Sequence, residues 1–166
     1  MRVLTLIAAA VLAMPVAARE AAFDPVPILA CLADQDSTDS CVGAGAQACI
    51  DVPVGGEVTE RLIACHQAEY QWWEGLLQAD TAELLADEIA GDQIIAESAR
   101  FSGRPPAAPL LEGVLEHFTL WRDGLCAYEA LQFWGIEAEP YVLAECLMRL
   151  TGDQVLTLRR IAAGGG

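Results

Sequence analysis

Lysine is missing from this chain of 166 residues, and nine arginines face twenty-four carboxylates, a formal net charge of −15. A surface so acidic repels phosphate backbones and anionic lipid, so nucleic acid and membrane surfaces are poor partners. Histidine is almost as scarce, with His66 and His117 alone. No His-Glu-x-x-His, Gly-x-Ser-x-Gly or phosphate-binding glycine loop occurs, so no recognisable set of nucleophile, acid and base emerges. The sequence thus implies no enzyme. Cys-x-x-Cys is absent too, and His66 beside Cys65 is not a spacing that closes a metal site easily. No cofactor or metal is expected. Beyond the N-terminus there is no run of eighteen or more apolar residues, so no transmembrane anchor is expected.

The start of the chain has Met1-Arg2, an apolar run from Val3 to Met14, and Pro15-Val-Ala-Ala18. A charged start, a short apolar run and small residues at a cleavable end describe a secretory signal peptide over 1–18. An uncleaved N-terminal anchor is the alternative, against which Pro15 and the small residues argue. The expected remainder, 19–166, is one domain, periplasmic or secreted, and long enough to bury roughly two thirds of its unfolded surface. From Glu20 to Glu97 the only basic side chain is Arg61, against sixteen acids. Solvated helix faces account for most such acids; the sharper reading is a basic protein partner steered by the field.

All six cysteines follow the expected signal, and an even count in an exported chain argues for disulfides. Fifteen pairings are possible in principle. If Asp39 to Ile50 is one helix, Cys41 and Cys49 lie about 12 Å apart along it and cannot pair. The preferred set is Cys31 with Cys41, Cys49 with Cys65, and Cys126 with Cys146.

Helical periodicity dominates the rest. Pro25-Val-Pro27 opens a short apolar turn through Ile28, Leu29 and Leu32. The polar run Asp34 to Asp39 can cap a small-residue helix from about Ser40 to Ile50, and Asp51 to Gly56 is a loop. From Glu57 a long helix carries Leu62, Cys65, Glu69, Trp73, Leu77, Leu84 and Ile89 on its apolar side. An interruption is expected at Gly91-Asp92, and a turn at Gly103 to Pro106, since consecutive prolines cannot sit inside a helix. Trp73 is the expected core indole; Trp72 is either an exposed anchor for a partner or packs beneath the N-terminal disulfide segment. Two more helices follow, one with Leu111, Val114, Leu115, Phe118, Trp121 and Leu125 along a stripe. The other uses Val142, Leu143, Cys146, Leu147, Leu150, Val155 and Leu158. Gly135 stops the first, and Pro140 suits the first turn of the second. Together they form an antiparallel hairpin in which Cys126 and Cys146 can lie opposite each other. His117 is expected on the solvent side or bonded locally, and 161–166 is expected to fray. The fold class is all-α, a small disulfide-stapled antiparallel helical domain.

Trp121-Arg122-Asp123, Cys126, Cys146-Leu147, Thr151 and Leu158-Arg159, with Cys65, Glu69 and Trp73 upstream, resemble the signature of the LprI-type lysozyme-inhibitor family. The chain departs from that pattern at Glu74, Leu77-Gln78 and Gly135-Ile-Glu. The resemblance implies a secreted helical domain that inhibits lysozyme by non-covalent occlusion. An envelope structural or stress-response protein of the same fold is the alternative, since fold does not fix function. Arg122 is expected to form a partly buried ion pair with a carboxylate on the long helix, Glu69 being the suggested partner. The surface assigned to a basic partner such as lysozyme is Trp72 with Asp80, Glu83, Asp87, Glu88 and Asp92.

Overall fold

The computed structural model describes residues 23–34, 41–53 and 57–164, so the expected signal peptide lies outside the described residues. Five helices occur among them and no strand: α1 (Val26–Ala33), α2 (Ala44–Ile50), α3 (Val58–Ser102), α4 (Ala107–Leu131) and α5 (Ala138–Ala162). No helix among the described residues is long and apolar enough to cross a membrane.

The long α3 is the spine, 45 residues or about 68 Å at 1.5 Å per residue. It runs straight through Gly91, where an interruption was expected. A single glycine costs a helix only about 1 kcal/mol, and Asp92 beside it is engaged by the start of α4. The helix stops at Gly103, whose φ of 70° is the left-handed value that glycine adopts freely, and Pro105-Pro106 carry the chain back. α4 then descends and α5 rises again. Asp92 meets the start of α4, Arg122 reaches Glu74 and Thr151, and Arg159 reaches Asp80. These contacts make α3 and α5 parallel, with α4 antiparallel to both.

The disulfides join Cys31 to Cys41, Cys49 to Cys65 and Cys126 to Cys146. The first two fasten α1 and α2 against the lower half of α3, and the third pins α4 to α5. The main core gathers Ile28, Ala46, Leu77, Met148 and Val155 around the fully buried Trp73 indole. Trp72 is half-buried and packs edge-on against Trp73, with ring centroids 4.6 Å apart.

Several expectations change. α2 begins at Ala44 rather than Ser40, because Gly43 turns the chain with φ 96°. Cys41 therefore precedes the helix, and residues 35–40, including most of the expected cap, lie outside the described residues. The inward stripe of α4 keeps Leu111, Leu115, Phe118 and Leu125 of the expected one against the core but is rotated at its other positions. Arg122, Cys126 and Ala130 are buried, while Val114 and Trp121 are about half exposed. Burying Arg122 with its partners turns its neighbour Trp121 outward by about 100°. Ile89 and Leu143 also reach the surface. The expected fraying at Ile161 gives way to helix through Ala162; residues 165–166 lie outside the described residues.

Candidate functional site

Two polar clusters lock the scaffold that carries the acidic surface. In the first, Glu69 is fully buried on α3, and three N–H groups donate to its carboxylate: the backbones of Gly43 and Ala46 and the Trp73 indole. The indole bond is 2.8 Å long. The N-cap of α2, Gly43, has no side chain to offer, and its own amide and that of Ala46 in the first turn are satisfied from α3. Close approach makes this possible, since a Cβ at Gly45 would stand 2.8 Å from the Phe23 ring and 3.2 Å from a Glu69 carboxylate oxygen.

The second cluster corrects the expected partner of Arg122, which is Glu74 rather than Glu69. The Arg122 Nη1 donates to Glu74 at 2.7 Å and to the Thr151 hydroxyl at 3.0 Å, and its Nε donates to Asp123 at 2.9 Å. The guanidinium also stands 5.6 Å from the centroids of Tyr70 and Phe118. One side chain of α4 thus holds α3 and α5 in register. Burial works against its charge, but the bonds to Asp123 and Glu74 outweigh this and hold its pKa above the ordinary value. Burial pushes the Tyr70 phenol up, against the pull of Arg122. Tyr70 and Glu74 stand one helical turn apart on α3, a spacing that places them on one face. That was the legible sign of the partner.

The residues assigned to a partner surface divide. Asp80, Glu83 and Asp87 share one cleft of ≈ 300 Å³ between α3 and α5, completed by Leu84, Leu158 and Arg159. Asp80 is committed within it to Arg159, at 2.6 and 3.2 Å. Glu83 and Asp87 are exposed and enter none of the ion pairs among the described residues. Glu88 is half-exposed outside the cleft lining, and Trp72 belongs to the core margin. Asp92 is engaged structurally, accepting the Ala107 and Ala108 amides at 2.9 Å each. Those amides hold its carboxyl below the usual carboxylate range, and Arg104 adds a smaller pull in the same direction.

The other wall of the cleft, Leu158 and Arg159 on α5, was not assigned to the partner surface. Its sign was the Leu158-Arg159 pair at the end of the second stripe. His66 is nearly buried, donates from Nδ1 to the Leu62 carbonyl and meets Tyr141 edge-on. Among the described residues no cluster of three His, Cys, Asp or Glu could hold a metal ion. The arrangement offers an open acidic lip with an apolar floor, set on crosslinked helices. No family model, curated protein or solved structure matches this chain.

Proposed function

We propose that this chain is an exported, non-catalytic binding protein for a basic protein partner, and that the partner is a lysozyme whose cleft it occludes without covalent chemistry. The observation that carries this reading is the pair Glu83 and Asp87, uncommitted carboxylates at the lip of the α3–α5 cleft. The scaffold behind them is held by three disulfides and by the Arg122 contacts to Glu74 and Thr151; such preorganisation favours affinity. The net charge of −15 draws a cationic partner and raises the encounter rate most at low salt. Partly exposed Leu84 at the floor, over the buried Leu158, supplies apolar surface for a desolvated contact. Three disulfides are compatible with an oxidising compartment, and the periplasm is the proposed location.

The test is a binding titration against a panel of basic lysozymes at two ionic strengths, with a bacterial-lysis turbidity assay alongside. Affinity falls at the higher salt, and Glu83→Gln with Asp87→Asn weakens binding while the helical circular dichroism is unchanged. Lysozymes that stay fully active at low salt beside excess protein rule the proposal out.

A further inference from the structure

We propose that a second copy of this chain docks on the outer face of α4, in an antiparallel pairing with Trp121 of each copy seated over Gly124 of the other. Val114, His117, Trp121, Gly124, Tyr128 and Leu131 recur at alternating steps of three and four, the spacing of a two-helix seam. All six face solvent, Trp121 at 54% and Tyr128 at 64% exposure. In a chain with twenty-four carboxylates this stripe contains none. His117 does not interrupt it sharply, because its Nδ1–H is already donated to the Gly113 carbonyl at 2.6 Å.

The occupant follows from self-complementarity. A two-fold pairing must present the same residues from both sides. With the axis between Arg122 and Asp123, Val114 faces Leu131, His117 faces Tyr128 and Trp121 faces Gly124. The largest side chain thus meets the position without one, and a Cβ at Gly124 would touch nothing in the single chain. The stripe and its neighbour Leu120, 69% exposed, leave on the order of 600 Å² of mostly apolar surface in water per copy. Two copies would bury roughly 1,200 Å², the lower bound of stable interfaces, and the patch on one chain stands at the upper end of what a lone chain exposes. The stripe shares no residue with the α3–α5 cleft, so this pairing is independent of any lysozyme binding.

Sedimentation equilibrium of the disulfide-intact protein at micromolar concentrations tests it. A mass of two chains is expected, and Trp121→Glu raises the dimer dissociation constant about 30-fold or more, as loss of a central anchor does. Gly124→Leu separates a specific seam from general stickiness. It adds apolar surface in open space, so the single chain folds, yet it blocks the seat of Trp121 and dissociates the pair. A single-chain mass at the highest concentration, a dimer indifferent to Trp121→Glu, or one tightened by Gly124→Leu overturns the proposal.

Discussion

The Glu69 carboxylate and the Trp73 indole, one turn apart on α3 and both fully buried, are joined by a 2.8 Å hydrogen bond. The same carboxylate takes the Gly43 and Ala46 amides, so the centre of the core is organised about an acceptor with three donors. Charge-assisted bonds of this type are roughly twice as strong as neutral ones, and each donor left bare inside costs about 1–3 kcal/mol. Glu69→Ala is therefore expected to destabilise by about 3–5 kcal/mol. Glu69→Gln keeps the shape but turns an NH2 toward a donor, and should cost about half as much. Urea unfolding followed by circular dichroism at neutral pH reads both, and a loss below about 1 kcal/mol for Glu69→Ala contradicts the assignment.

Gly152 on α5 tests the packing on the opposite side of Trp73. A Cβ there would lie 2.7 and 2.8 Å from the two Val42 methyls and 3.2 Å from the indole ring. Rotating the Val42 side chain cannot clear both methyls, and the indole is held by Glu69. Alanine raises intrinsic helix propensity by about 1 kcal/mol, and overpacking costs about 1–3 kcal/mol. The clash prevails, and Gly152→Ala lowers the melting temperature by about 2–6 °C. The same change at Gly75, with nothing near its Cβ position, leaves stability unchanged or raises it.

Asp92 gives an acid-dependent signal. Its carboxyl is lowered by the Ala107 and Ala108 amides, so the folded state prefers the ionised form. That stabilisation is complete above the ordinary carboxylate pKa and is lost as pH falls through the lower folded value. Amide proton shifts of Ala107 and Ala108 should hold constant through the range where exposed carboxylates titrate, then move together at lower pH. In Asp92→Asn the transition disappears. Shifts that move with the exposed carboxylates would show that the two bonds do not form in solution.

Much of the helical plan was legible because it depends on local signals: apolar periodicity over α3, consecutive prolines after Gly103, and cysteine spacing across the α4–α5 bend. The errors lie where a distant group overrides a local one. Residues 34–39 read as the cap of α2, and most of them lie outside the described residues; what no local signal could show is that Glu69, more than twenty residues downstream, takes the Gly43 and Ala46 amides. Gly91-Asp92 read as a break, because glycine and aspartate suit turns; in place, Asp92 serves another helix while its own continues. The rotation of α4 was hidden for the same reason. Trp121 read as part of the inward stripe, and burial of Arg122 by a carboxylate, a hydroxyl and two rings turns the indole outward. The acids of the α3–α5 cleft were legible as a charged run, but which of them stay free depended on Arg159 and on the start of α4.

Arg122 ties three helices, so its removal should be felt in stability and in the titration of a neighbour. Its partners are unequally exposed: Thr151 is buried, whereas the side chains of Glu74 and Asp123 are 29% and 57% exposed. Water can therefore rehydrate both carboxylates once the guanidinium is gone, and the loss falls short of the 3–5 kcal/mol typical of a fully buried pair. Arg122→Met, which retains the packing against Tyr70 and Phe118, is expected to cost about 2–3 kcal/mol. Arg122→Lys recovers only part, because one ammonium cannot span Glu74, Thr151 and Asp123 with a fork's geometry. Burial already raises the Tyr70 phenol, and Arg122 opposes that rise while Glu74 and Asp123 add to it. Without the arginine the Tyr70 pKa climbs further, so its phenolate absorbance appears at higher pH than in the parent. A phenol raised in the folded state contributes stability below its unfolded pKa that is lost as pH rises through the folded one. The alkaline unfolding limb of Arg122→Met therefore follows the shifted Tyr70 titration. An unchanged Tyr70 titration in this variant would place the guanidinium away from Tyr70 and contradict its joining of α3, α4 and α5.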